Sequence, residues 1–129
     1  MNRLEIFKQV KEHMLTQNAK ALDEGGECVY LSDTGLKCAV GCLIKPEYYD
    51  EKIEGLAVEG LYGFTDQLGR QKAYKYEPLR KAIENSLGCV LDHKKIAMLD
   101  TLQQIHDCGD VSNWENELNQ LEQEIIDDE

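Results

Sequence analysis

The spacing of apolar positions predicts helices over most of the chain. Apolar residues recur every three or four positions, as on one buried helix face, in four segments. These segments are 3–22, 78–87, 92–107 and about 112–126. Asn2 and Asp92 are suitable N-cap residues, and Gly88 is a typical helix terminator. A fifth, short helix is expected across Leu56–Leu61.

A different pattern, with short apolar runs on both sides of a turn, covers residues 28–44. Cys28–Leu31 and Leu36–Val40 flank the sequence Ser-Asp-Thr-Gly, and Gly35 tolerates the positive φ of a tight turn. This predicts a short two-stranded antiparallel ribbon, which must lie on helices to be stable. The predicted fold class is therefore α+β, mainly helical, with four to five helices and one ribbon. By length, residues 1–129 form a single domain.

The charge is concentrated at the C-terminal end. The chain has 25 acidic and 14 basic residues, a net charge of −11. No Lys or Arg follows Lys95, whereas ten acidic residues do. Such a surface repels nucleic acid phosphates and anionic membranes and attracts a basic partner. The alternative interpretation is a solvated helix face that maintains solubility.

Protein binding is therefore the leading hypothesis, with the acidic C-terminal helix and the region around Cys38 as contact surfaces. The predicted contact residues on the helix are Glu115, Glu117, Glu122, Glu124 and Trp114. The expected partner is a protein, basic or DNA-binding, that meets the carboxylates as it would meet a row of DNA phosphates. A homodimer is a second expectation. Direct binding to nucleic acid or to a membrane is not expected, and the absence of an export signal or long apolar run indicates a cytoplasmic location.

The five cysteines leave two further hypotheses open. An odd number without a dense framework favours reduced thiols that pack in the core. In the first alternative, Cys38 is the nucleophile of a hydrolase or transferase, with His106 as base and Asp107 as the residue that orients it. His93 with Asp92 is a second candidate pair for the base. In the other alternative, a zinc-stabilised domain, the ligands are Cys38, Cys42, Cys89 and His93. The leading hypothesis requires no cofactor.

Residues 33–44, Asp-Thr-Gly-Leu-Lys-Cys-Ala-Val-Gly-Cys-Leu-Ile, resemble a motif of small uncharacterised proteins encoded by phages and prophages. The matching residues downstream are Tyr48-Tyr49-Asp50, Glu54-Gly55, Leu102–Asp107 and Trp114. Thr34 is inserted relative to that motif, and Lys45 stands where such proteins often continue directly to Pro. The resemblance implies a phage-type accessory protein and transfers no activity.

Overall fold

The structure, a computed structural model, describes residues 1–64 and 74–128, and these residues fold into helices and connecting turns. The α-helices are α1 (Arg3–Gln17), α2 (Glu77–Leu87), α3 (His93–Cys108) and α4 (Trp114–Asp127). Short 3₁₀ helices occur at Gly41–Leu43, Pro46–Tyr48, Glu51–Ile53, Val58–Phe64, Tyr74–Tyr76 and Val111–Asn113. The predicted helix over 56–61 is thus a 3₁₀ helix that begins at Val58.

Local side-chain chemistry sets the ends of the helices. The side chain of Asn2 accepts the Glu5 N–H at 2.9 Å, and the Glu5 carboxylate accepts the Asn2 N–H at 3.3 Å. This reciprocal pair begins α1. The helix ends earlier than predicted because Asn18 adopts a left-handed conformation with φ of 52°. Gly88, with φ of 70°, ends α2, and Asp92 caps α3, both as predicted.

The predicted two-stranded ribbon is wrong, because the described residues contain no β-strand and the fold class is all-α. The turn itself forms, since Gly35 has φ of +88° and donates its N–H to the Ser32 carbonyl at 3.0 Å. Around it, only isolated antiparallel bridges are present. They join Leu22 to Cys28 and Leu31 to Lys37.

Side chains from outside the segment take the backbone hydrogen bonds that a ribbon would need. The Glu54 carboxylate accepts the N–H groups of Tyr30 at 2.9 Å and Leu31 at 3.2 Å. The side-chain oxygen of Gln17 accepts the N–H of Lys37 at 3.0 Å. These donors are no longer available to a facing strand, so the pairing does not extend beyond single bridges.

The core is formed where α1, α3 and α4 pack on one another, with Val58–Phe64 against α3. The apolar seam of α4 is buried in this packing; it consists of Trp114, Leu118, Leu121 and Ile125. The seam is therefore used within the chain and is not available to a second copy. Among the described residues, no helix has both the length and the apolar character required to cross a bilayer.

Candidate functional site

A cleft of about 320 Å³ lies between the segment that follows α1 and the C-terminal half of α3. Three stretches of chain form its walls: residues 28–30 with Cys38, residues 55–59, and the part of α3 from Asp100 to Cys108. Three carboxylates line the cleft, those of Glu59, Asp100 and Asp107. The predicted Cys38 region therefore lies beside two carboxylates of α3, and none of the described residues of α4 lines the cleft.

Asp107 is the polar centre of this cleft. Its carboxylate accepts hydrogen bonds from His106 Nδ1 at 2.6 Å and from Gln103 Nε2 at 2.8 Å, and the Cys28 sulfur lies within 4.8 Å of it. Burial raises the pKa of Asp107, but these hydrogen bonds outweigh it and hold the pKa below its ordinary value. Lys20 Nζ contacts the backbone carbonyl of Asp107 at 3.2 Å. Asp107 is thus a fixed carboxylate anion with its donors already arranged around it.

His106 holds Asp107 from the core side. The ring is fully buried and stacks on Trp114, with centroids 5.4 Å apart and planes 26° apart. Its Nε2 accepts the backbone N–H of Ala21 at 3.2 Å. Because that N–H points at Nε2, the ring proton resides on Nδ1, where it is donated to Asp107. Both nitrogens of His106 are therefore occupied by partners within the fold.

The Cys28 sulfur lies within 4.8 Å of a carboxylate oxygen of Asp107. Burial, and after it the neighbouring Asp107 carboxylate, raise the pKa of Cys28 to about 11. The thiol is consequently protonated at neutral pH and is a weak nucleophile there. Cys28, His106 and Asp107 each place one ligand atom within 4.8 Å of the others.

The predicted nucleophile Cys38 lies at the back of the cleft. It is buried, and burial raises the pKa of its thiol well above the ordinary value, while the Gly41 N–H donates to its sulfur at 3.2 Å. His106 and Asp107 do pair as predicted, but His106 has no free nitrogen with which to accept the Cys38 proton. The structure thus places the three residues in one region without giving Cys38 a base.

The second candidate base pair is also engaged elsewhere. Asp92 caps α3 by accepting the Lys95 N–H at 2.8 Å. His93, the first residue of α3, lies against the ring of Tyr62 with centroids 5.3 Å apart. Neither residue is among those that line the cleft at Cys38.

The structure does not bring the predicted zinc ligands together as a group. Within the described ranges, the His, Cys, Asp and Glu residues that place three ligand atoms within 4.8 Å of one another are Cys28, His106 and Asp107. From the predicted set, Cys38 is buried and Cys42 donates its thiol to the Ala39 carbonyl at 3.0 Å. Burial raises the pKa of Cys42 to about 12. Cys89 is half-buried, and His93 is at the exposed start of α3.

The predicted contact residues on α4 have unequal exposure. Trp114 is fully buried, so its side chain does not reach the outer surface of α4 in the folded protein. Glu122 is paired with Lys11 at 3.0 Å, and Glu117 is half-buried with Oε2 enclosed. Only Glu115 and Glu124 of the predicted set are exposed.

The outward face of α4 carries amides more than carboxylates. At 100° per residue, the positions opposite the buried seam are Asn116, Asn119, Gln120, Gln123 and Asp127, all exposed. The glutamates lie on the flanks of the helix, and one of them, Glu122, pairs with Lys11 of α1. Beyond the helix end, Asp128 contacts Arg3 at 2.8 Å and Lys94 at 3.0 Å. Part of the predicted acidic surface is therefore neutralised by the chain itself.

Sequence reasoning missed the cleft residues Cys28, Glu59 and Asp100. No motif connects Cys28 to Asp107, which lies in a different element near the other end of the chain. Cys38 and the pair His106-Asp107 were the visible signals of this site. No family model, curated protein or solved structure matches the chain.

The five thiols should differ widely in reactivity toward a disulfide reagent. Cys108 is exposed and Cys38 is only 1% exposed, so we expect Cys38 to react at least roughly 100-fold more slowly in the folded protein. Mass spectrometry of partially modified protein measures the order. Cys108→Ser should remove the fast phase. Equal reaction rates for Cys38 and Cys108 would support the hypothesis that Cys38 is a catalytic nucleophile.

Proposed function

We propose that the chain is a non-enzymatic protein-binding module that holds a Lys or Arg side chain of a basic partner in the cleft. The charge of the cleft is the observation behind this proposal. Glu59, Asp100 and Asp107 line it, and no Lys or Arg is among the described residues of its walls. Carboxylates in a partly desolvated cleft attract a cation more strongly than the same groups on an open surface.

The apolar lining of the cleft suits the stem of such a side chain. Val29, Leu56, Ala57 and Val58 line the cleft together with the carboxylates. Lys and Arg combine an aliphatic stem with a charged head, so one side chain can contact both kinds of lining at once. Asp100 accepts hydrogen bonds from Tyr62 and from Gln104, and Glu59 is exposed at the rim. Glu59 is therefore the carboxylate best placed to receive the incoming cation.

The acidic helix has a different role in this proposal. The exposed Glu115 and Glu124, with the overall charge of −11, would attract a basic partner over long distances without entering the contact. Long-range attraction between charges changes the association rate more than the dissociation rate. The resemblance to phage-encoded proteins supports a phage-type accessory role in the host cytoplasm, directed at a basic or DNA-binding protein.

Binding of a Lys-rich peptide, followed by fluorescence anisotropy at about 50 mM salt, tests the cleft. Combining Glu59→Gln with Asp100→Asn should weaken binding at least about 10-fold, because both charges that face the ligand are removed. The matched control combines Glu12→Gln with Glu47→Gln, which removes the same charge from exposed positions outside the cleft.

The control variant should bind within about twofold of the wild type, after thermal melts have shown that both variants fold. Equal weakening in the two double variants would mean that only net charge attracts the peptide, and the cleft would lose its assigned role. Capture from a bacterial lysate with the same three proteins then identifies the partner, as the protein retained by wild type and control and lost with the cleft variant.

A further inference from the structure

We propose that Cys28 and Asp107 form a binding site for a divalent, borderline-soft metal ion of the Zn²⁺ class, with His106 positioning the carboxylate from outside the coordination sphere. This site differs from the zinc set predicted from the sequence and goes beyond the binding of a basic partner. It lies at the floor of the cleft, where the Cys28 sulfur and a carboxylate oxygen of Asp107 lie within 4.8 Å of each other.

The ligand chemistry favours this class of ion. A thiolate sulfur and a carboxylate oxygen are both zinc ligands, with ordinary bond lengths of about 2.3 Å and 2.0–2.2 Å. Two ligands at those distances are separated by roughly 3–4 Å across a tetrahedral ion, which is compatible with a sulfur and an oxygen that lie within 4.8 Å of each other. On binding, the sulfur–metal bond forms, the S–H bond breaks and the proton leaves to solvent.

His106 lies close enough to be a third ligand, but its hydrogen bonds assign it another role. Its Nε2 accepts the Ala21 N–H at 3.2 Å, so the proton is on Nδ1 and that nitrogen has no lone pair for a metal. If the proton were on Nε2, the Nε2–H of His106 and the backbone N–H of Ala21 would point at each other, and neither would have an acceptor. His106 instead donates to Asp107 at 2.6 Å and fixes the direction of the carboxylate.

The remaining coordination positions face the cleft. Cys108 also lines the cleft, but its thiol does not lie within 4.8 Å of both the Cys28 sulfur and the Asp107 carboxylate, so these positions are left to water. An open position at a metal is what a donor atom from a bound partner requires. The cleft carboxylates Glu59 and Asp100 are not needed for this site.

Titration of the reduced full-length protein with Cd²⁺ alone tests the site, because cadmium–thiolate bonds absorb in the ultraviolet. The expected result is one ion per chain with this absorption. Cys28→Ser should abolish the absorption and weaken binding at least about 100-fold, whereas Cys89→Ser, which changes a half-buried thiol outside the cleft, should leave both unchanged. No absorption in the wild type, or unchanged absorption in Cys28→Ser, would overturn the site.

Variants of His106 separate positioning from ligation. His106→Asn retains a donor near the position of Nδ1 and should keep Cd²⁺ affinity within about 10-fold, while His106→Ala should lose about 10- to 100-fold. If His106→Asn binds as poorly as Cys28→Ser, His106 is a ligand and its assigned role is wrong. Circular dichroism of each variant confirms folding before titration.

A measurement on the wild-type chain tests the metal site without depending on the folding of any variant. Saturating Zn²⁺ should slow alkylation of Cys28 at least about 10-fold relative to Cys89, as read by peptide mass spectrometry. Equal protection of the two cysteines would contradict the proposal. The Glu59 and Asp100 substitutions should weaken peptide binding and leave the Cd²⁺ absorption intact, so each proposal can fail without the other.

Discussion

Trp114→Ala is expected to lower the free energy of unfolding by about 3–5 kcal/mol. Trp114 is among the largest fully buried side chains of the chain, and it packs where α4 meets the His106 ring. Its indole N–H has no hydrogen-bond partner among the described residues. The expected decrease in the free energy of unfolding therefore comes from lost packing contacts and not from a lost hydrogen bond. Urea unfolding followed by circular dichroism measures the change.

The control for this substitution is Val90→Ala, because Val90 is 74% exposed. It should change the free energy of unfolding by no more than about 0.5 kcal/mol. A loss below about 1 kcal/mol for Trp114→Ala would show that the indole ring is not enclosed, and Trp114 would again become a candidate contact residue on α4.

Gly41→Ala is expected to cost about 2–3 kcal/mol, because no space exists for a side chain at this position. An added Cβ would lie 2.0 Å from the Tyr30 carbonyl oxygen and 2.8 Å from the Tyr30 carbonyl carbon. The obstructing atoms are backbone, so relief requires the segment that forms one wall of the cleft to move. This close approach gives a physical reason for the glycine in Cys-Ala-Val-Gly-Cys.

Gly25→Ala is the matched control for Gly41→Ala. Gly25 is exposed, and the nearest atom to an added Cβ is a side-chain oxygen of Asp23 at 3.3 Å, which is not backbone. We expect a change within about 0.5 kcal/mol, measured by the same urea titration. Similar losses at both glycines would mean that the contact with Tyr30 is not tight.

The helices could be predicted from the sequence because their signals are local. Pro78 near the start and Gly88 at the end gave the bounds of α2 almost to the residue, and Asp92 gave the start of α3. The first helix was predicted too long, because Asn18 ends it through a left-handed conformation that Asn adopts only in some contexts. The pattern of apolar residues at 28–44 predicts two strands, whereas the structure has only single bridges in this segment.

The ribbon and the cleft could not be predicted because their partners are distant in sequence. Whether Tyr30 bonds to a neighbouring strand or to Glu54 depends on where the helices place Glu54. The pairing of Cys28 with Asp107 likewise appears only after α3 has packed beside the loop. His106-Asp107 was visible as a motif, but its hydrogen bond to Ala21, which decides what the imidazole can do, was not.

The use of side chains in place of a second strand has an evolutionary consequence. Where strands pair through backbone atoms, residue identity can drift while the pairing persists. Here Glu54 and Gln17 hold neighbouring amides through their own functional groups, so a single codon change at either position removes the support of a remote loop. Relatives of this chain should therefore retain these two polar residues, or replace them together with the loop they hold.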